Sequence, residues 1–513
     1  MTVPKNNENK YGTFKGVFLP SILTILGVVM FLRMGWVLGN VGLAATVLIV
    51  IIACAITFIT SLSVSVIATN MQVGGGGVYY MISRSLGVEV GAAVGLPLYF
   101  AQAFGVAFYI SGFVESLKEI TTIPSVYLEI ITLTLLTSIA FKSANLALRM
   151  QAVIFILILL SLISFFTGGA SIGSQDVASS GLPTLGFWAV FAVFFPAVTG
   201  IEAGLAMSGS LKNPSLSLPL GTIGAVVVGC AIYLAIPIYL SERVIQSRLI
   251  SDSFIMYDLA KYKPIIIVGL WGAALSSALG ALLGAPRTLQ ALAKDKVVFS
   301  IFAKESGLER LPRAATLITF VVALAAVSLG DLNMIAPILS MFFLTSYGVL
   351  NLAAAAGGII SSPSWRPKFK VPWVLSLFGA ICCFSIMFMI NPGATLIAII
   401  LIFFVFYVME RRSFRSHWGD MRRGVLMLFA KYSIEKLNTL KENRKSWRPH
   451  VMVLSGSPLK RWPLIEIGEG ISSNRGILSI AAVFQRGSSV ENRLNSTEKG
   501  IKEYLEKKNI NAL

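Results

Sequence analysis

The chain has 513 residues, 55% of them hydrophobic and 13% charged, with a mean hydropathy of +0.78; soluble domains carry about 25% charged residues. A soluble enzyme or binding module is excluded, and the +18 net charge has to be judged by where it lies before nucleic acid is invoked. Apolar runs of about 20 residues, enough to cross about 30 Å of hydrocarbon, recur about twelve times from Gly16 to near Arg411.

The first 15 residues are polar and the first apolar run is too long for a cleavable signal peptide. Spans are predicted near 16–38, 42–68, 89–117, 125–141, 150–168, 186–209, 220–241, 264–286, 314–330, 333–358, 372–391 and 393–410. In the first span, "SILTILGVVMF" puts Thr24 and Gly27 at mid-membrane. Between the second and third, "QVGGGGVYYMISRSLG" has the glycines of a phosphate cradle without its lysine and hydroxyl. It predicts a tight turn leading into a short amphipathic helix. In the sixth span, "FFPAVTGIEAG" places Pro196, Thr199 and Gly200 at mid-membrane, together with a carboxylate, Glu202.

The two interruptions lie one five-span block apart, the sequence signature of an inverted-repeat transporter with its site at the midplane; a pair of packing kinks is the alternative. A helix opened there bares carbonyl oxygens on one side and N–H groups on the other, and lipid satisfies neither. Free carbonyls suit a dehydrated cation. A half-helix N-terminus, carrying about +0.5 charge, suits an anion.

From residue 412 the composition turns polar. "MRRGVLMLFAKYSIEKLNTLKEN" predicts an amphipathic helix with a basic face, suited to a membrane surface or a partner. "HVMVLSG" and "GILSIAAVF" predict buried strands, separated and followed by helices. This is a βαβα beginning, whereas a doubly wound domain has more strands. The predicted organisation is a cytoplasmic tail over 1–15, a transmembrane domain over 16–411, and a cytosolic linker helix with a partial α/β domain over 412–513.

With the N-terminus inside and sides alternating, the inward loops carry sixteen lysines and arginines, Arg84, Arg287, Lys294 and Lys296 among them. The outward loops carry five: Lys118, Arg243, Arg248, Lys261 and Lys263. This positive-inside bias predicts a multi-pass cell-membrane protein with both termini cytoplasmic, so the basic charge needs no nucleic acid, though it suits anionic lipid headgroups. Cys54, Cys230, Cys382 and Cys383 all lie in apolar spans, with neighbours Cys382 and Cys383 on different faces, and imply neither a disulfide framework nor a zinc site. Both histidines, His417 and His450, fall in the tail, so the spans hold no His-based metal or nucleophile constellation. A channel would show a repeated filter or charged rings. For a membrane enzyme, only Glu202 and Tyr347 offer an acid and a base.

Several stretches in order, "GTFKGVFLPSILTILGVVMFLRMGWVLGNVG", "GGGGVYYMISRSLGVEVGAAVGL", "FAVFFPAVTGIEAGLAMSGSLKNPS", "GAPRTLQALAKDKV", "IAPILSMFFLTSYGVLN" and "SWRPHVMVLSGSP", resemble the cation-chloride cotransporter family, prokaryotic-type members included, within the amino acid-polyamine-organocation superfamily. The resemblance covers nearly the whole chain. It implies an all-α membrane fold of twelve transmembrane helices, ten of them in a 5+5 inverted repeat with the first and sixth broken. A small α/β cytosolic segment follows, through which members often form homodimers. Carried over by position, potassium would meet the backbone at Thr24 and Ile25, the Tyr109 hydroxyl, Pro196 and Thr199; the family usually has asparagine where this chain has Thr24. Chloride would sit at Gly27, Val28 and Val29, and again at Gly200 and Ile201 beside Glu202, helped by Tyr347. Sodium would use backbone near Leu23, Leu26 and Ala273 with the hydroxyls of Ser276 and Ser277; read alone, adjacent serines only back-bond to their helix. Arg33 and Glu115 match a charged pair closing the outer gate, although each alone reads as a snorkelling end residue. The long phosphorylated N-terminus of animal members has no counterpart before Gly12, so its regulation is not carried over.

Glu202 departs from the family, where the position is usually apolar. A charge at mid-membrane costs about 2.5–3.5 kcal/mol or more, and three answers are open: a neutral acid, a partner for a bound cation, or a fixed negative charge replacing one chloride. Many amino acid permeases carry "GFE" or "GVE" near this point, so "GIEAG" supports a second reading, a sodium- or proton-coupled permease for amino acids or similar solutes. Against it, "ILGVVMF" lacks the paired glycines that hold a substrate carboxylate in those permeases. The leading expectation is a sodium-coupled cation/chloride symporter working by alternating access, with sodium, potassium and chloride as cargo, no cofactor and no enzymatic activity.

Overall fold

A computed structural model of the chain describes residues 11–70, 77–118, 121–142, 145–169, 185–305, 312–360, 365–411, 421–439, 449–454, 458–472, 476–481, 490–508, 510 and 512. Most of the N-terminal tail and residues 71–76 of the predicted glycine turn lie outside them. Two compact units result, Met1–Val425 and Leu426–Leu513.

The first unit is helical because a chain surrounded by hydrocarbon must satisfy its own backbone groups. After a π turn at Phe14–Phe18 come α1 (Leu19–Ile25), α2 (Val28–Leu32), α3 (Met34–Asn70), α4 (Gly77–Leu86), α5 (Val88–Leu117), α6 (Ser125–Lys142), α7 (Asn145–Phe166) and α8 (Phe187–Phe194). A 3₁₀ turn at Phe195–Val198 leads to α9 (Ile201–Ala206), α10 (Pro214–Ser241), α11 (Gln246–Ser251), α12 (Ile255–Leu259) and α13 (Lys263–Lys294), then α14 (Arg313–Val327), α15 (Leu332–Ile360), α16 (Trp373–Ile390) and α17 (Pro392–Arg411). Among the described residues, nine segments are long and apolar enough to cross a membrane by length and composition. The spans expected near 125, 150 and 314 correspond to three shorter apolar helices, Ser125–Phe141, Met150–Phe166 and Arg313–Val327.

The boundary expected between the first two spans is a kink inside α3. There Gly42 takes φ 75°, a left-handed conformation that glycine adopts without Cβ strain. The helices α1, α2, α8 and α9 form the inside of the bundle: α1 packs on α7, α9, α10 and α13, and α2 packs on α5 and α13. At one end, α4 is tied to the end of α13, because Asp295 accepts hydrogen bonds from the Tyr79 hydroxyl (2.8 Å) and from Arg84 Nη2 (2.7 Å). Burial, with the Asp295 carboxylate beside it, holds the Tyr79 phenol well above its usual range.

In the second unit, β1 (His450–Leu454) pairs in parallel with β2 (Ile477–Ala481), His450 opposite Ile477 and Leu454 opposite Ala481. The crossover is α19 (Pro458–Ser472), and α20 (Val490–Lys508) follows β2. A small core joins Val453, Ile465, Leu478 and Ile510. The strands are less buried than expected, since only Val453 and Leu478 are fully covered. Two strands have neighbours on one edge each, and single helices cannot cover both faces. The helix at Met421–Thr439, α18, also differs from expectation. From Leu426 on, its apolar side chains fall on all sides and are exposed, Leu428 and Tyr432 opposite Ile434, so the described side chains form no distinct basic face.

Candidate functional site

Both expected interruptions are present. Leu26, with φ −82° and ψ 46°, ends α1, and extended Gly27 starts α2. Pro196 opens the 3₁₀ turn that ends α8, and Thr199 and Gly200 precede α9. The two breaks touch each other: a Cβ on Gly200 would lie 2.8 Å from both Ile25 N and Ser21 O. Only a residue with no side chain permits that approach.

Two carbonyls at the breaks are capped by phenols from other helices. The Tyr233 hydroxyl, from α10, donates to Ile25 O at 2.6 Å, and the Tyr347 hydroxyl, from α15, donates to Thr199 O at 2.9 Å. The threonine hydroxyls turn back on their own helices, Thr24 onto Pro20 O (3.0 Å) and Thr199 onto Pro196 O (2.9 Å). Each phenol has a single proton. Tyr347 therefore donates to an anion only after giving up Thr199 O.

Between the breaks and helices α5 and α13 lies a cavity of about 50 Å³. Thr24, Tyr109, Thr199, Gly200, Glu202 and Ser277 of the expected residues line it. The wall is completed by Gln102, Phe343 and small residues, including Ala203, Gly105, Gly280 and Gly284. Ile25, Pro196, Leu23, Leu26, Ala273, Gly27, Val28, Val29, Ile201 and Tyr347 are buried around the breaks without lining the cavity. Ser276 is half-buried and also off the wall. Successive residues of a helix point about 100° apart, so α13 turns only one of the two serines inward.

Glu202 is 7% exposed, and its Oε2 has no hydrogen-bond partner. Ser277 Oγ, also buried, has none either. Gln102 lies beside the carboxylate, and the Thr288 hydroxyl donates to Gln102 Oε1 at 3.0 Å. That bond uses the amide's acceptor end and turns its N–H₂ end toward other partners. A carboxylate oxygen, two hydroxyls and a carbonyl-rich break beside an apolar wall suit a small cation or an ammonium group. Among the described residues no three His, Cys, Asp or Glu side chains gather as a metal site.

Arg33 and Glu115 do meet. Arg33 Nη1 and Nη2 donate to the two carboxylate oxygens at 2.9 and 2.8 Å, and Arg33 Nε donates to Asn333 Oδ1 at 2.8 Å. The fork joins the end of α2 to α5 and α15, and Ser253 Oγ lies 3.4 Å from Nη1. Asn333, Gln102, Tyr233 and Arg287 are additions to the residues the sequence points to, and Arg287 lies within α13 rather than in an inward loop. A lone amide in "FAQAFG" and a lone phenol in "AIYLAI" are the available signals, because polar groups inside apolar spans are rare and functional.

A model of the amino acid permease family matches residues 16–450. The chain is 33% identical over 93% of its length to solute carrier family 12 member 1 of Mus musculus, covering 50% of that protein. It is 32% identical over 91% of its length to solute carrier family 12 member 2 of Homo sapiens, covering 44% of it. Member 2 of Squalus acanthias is 30% identical over 91% of the chain, with 45% of that protein covered. The chain thus spans about half the length of these curated relatives, which are named as solute carriers, not enzymes.

Proposed function

The chain belongs to the amino acid permease family, and from that premise we propose that it is a secondary active symporter coupling sodium to the movement of a cation and chloride. The spans number twelve, counting the three shorter apolar helices, with ten in a 5+5 inverted repeat and both termini cytoplasmic. Sodium, potassium and chloride are cargo, and no cofactor takes part. The observation that carries this reading is the pair of broken helices meeting at Gly200 around a cavity that holds a partnerless carboxylate oxygen.

In this reading potassium is held at Thr24, Ile25, Tyr109, Pro196 and Thr199, and sodium at Leu23, Leu26 and Ala273 with Ser277 as the inward hydroxyl and Ser276 behind it. One chloride sits at Gly27, Val28 and Val29. Glu202 takes the place of a second chloride at Gly200 and Ile201, near Tyr347. A fixed carboxylate and a chloride at the same position would repel each other strongly in a site of low dielectric. Arg33 and Glu115 close the outer side. Coupling follows because bound ions together stabilise the occluded state that each alone stabilises too little.

Uptake of radioactive rubidium into proteoliposomes tests it. Rubidium uptake is expected to need an inward sodium gradient and chloride together. Uptake of alanine driven by sodium or protons, indifferent to chloride, would favour instead the organic-solute reading, which "GIEAG" and the family model support.

Gly280 gives a second check on the cavity. No atom lies within 4 Å of where its Cβ would stand, and the residue lines the cavity. Gly280→Leu therefore enters the cavity from a position with open space at its Cβ, and uptake is expected to fall at least about tenfold. The thermal midpoint of the purified protein should stay close to that of the unaltered chain. Full uptake by Gly280→Leu would remove this cavity from the transport path.

A further inference from the structure

A smaller cavity, of about 10 Å³, adjoins the first on the side away from Arg33, and Glu202, Gln102 and Gly284 line both. Its other walls include Arg287 and Thr288, next to each other on α13, and Val78 of α4. Arg287 follows Gly284 by one helical turn on the same face. Its guanidinium is in none of the ion pairs among the described residues. Glu202 is the carboxylate that shares its cavity, and Glu202 Oε2 lacks a partner. The Thr288 hydroxyl holds Gln102 by its oxygen, and Gln102 lies beside the Glu202 carboxylate.

We propose that Arg287 is the built-in counter-ion of Glu202 in the empty carrier: it takes the carboxylate once the transported cation has left, and yields it to the next cation. This rests on the symport reading above. A bare carboxylate in an apolar site is strongly disfavoured. A carrier that must reorient with its site empty therefore needs a cation to replace the one it released. Arg287 and a bound alkali cation cannot both neutralise one carboxylate, so their binding to it is competitive. The tether works only on reorientation of the empty protein and is idle whenever a cation is bound.

The full chain in proteoliposomes separates the two half-cycles. Exchange of internal for external rubidium uses only the loaded carrier, whereas net sodium-driven rubidium uptake requires the empty carrier to return. Arg287→Ala and Arg287→Gln are expected to keep exchange within about twofold while net uptake drops at least about tenfold. Arg287→Lys, which retains the charge, should restore most of the net uptake. In Glu202→Gln/Arg287→Gln, which has no charge left to compensate, the ratio of net uptake to exchange should return toward that of the unaltered protein. Equal losses of exchange and net uptake in Arg287→Gln, or an unchanged ratio, would overturn the proposal. So would Arg287→Lys behaving like Arg287→Gln. A different result, no rubidium exchange by the unaltered protein, would sink the cation symport reading and this inference with it.

Discussion

Gly200→Ala is expected to reduce solute uptake about 100-fold or more, since displacing a site by about 1 Å costs that much where geometry controls a reaction. The added Cβ would stand 2.8 Å from Ile25 N and Ser21 O, with Ile25 Cγ1 at 2.9 Å. Two of those neighbours are backbone, so no side chain can swing away. The helices α1 and α9 must separate, carrying with them Thr199 and the Ile25 carbonyl that Tyr233 caps. Overpacking of this kind costs about 1–3 kcal/mol, enough to lower the thermal midpoint without preventing folding. Gly186→Ala is the control, because Gly186 precedes α8 with open space at its Cβ position. Uptake and melting by Gly200→Ala equal to those of Gly186→Ala would show that the two breaks do not depend on close contact.

The same glycine illustrates what can be read from the chain. Proline, threonine and glycine interrupting an apolar run at residues 196–200, and threonine and glycine again at 24–27, signal broken helices because each is a local property of the backbone. Glu202 is legible for a related reason, since a carboxylate inside a span is costly enough to need a purpose. What the chain hides is which side chains from other helices reach the breaks. Tyr233 is 208 positions from Ile25, and Tyr347 is 148 from Thr199. The chain does not fix the position of Arg287, because a positive charge near a span's end fits a loop as well as a helix. In the structure α13 continues to Lys294 and carries Arg287 onto the wall of the smaller cavity. The serines at 276 and 277 are adjacent in the chain, but the helix turns them to different faces, and only Ser277 lines the cavity.

Charge compensation links the ends of the bundle. Glu202 and Arg287 share a cavity on one side, while Arg33 and Glu115 are already paired on the other. In the proposed symporter, one pair joined and the other apart corresponds to a carrier sealed at the Arg33 end, with an incoming cation and Arg287 competing for Glu202 on the other side. In that symporter the Arg33–Glu115 pair opposes opening on its own side, and Arg287 holds Glu202 only while no cation is bound.

Glu115→Ala is therefore expected to open the sealed end. Arg33 is 4% exposed and would keep neutral acceptors, Asn333 Oδ1 at 2.8 Å, Leu32 O at 3.0 Å and Ser253 Oγ at 3.4 Å. Removing one partner of a buried pair costs about 3–5 kcal/mol. The lower end applies because the Glu115 side chain is 22% exposed. About 3 kcal/mol corresponds to about a hundredfold change in the closed-to-open ratio. Net rubidium uptake should fall at least about tenfold, and backbone hydrogen exchange should rise over Val28–Leu32 and the first turns of α15. Arg33→Lys should show a milder form of both effects, because an ammonium keeps the charge but cannot bond both carboxylate oxygens and Asn333 in one plane. Exchanging the charges, Arg33→Glu with Glu115→Arg, should recover part of the protection, since the pair is re-formed without its Asn333 contact. If Glu115→Ala transports and exchanges hydrogen like the unaltered protein, the Arg33 fork is packing rather than a seal.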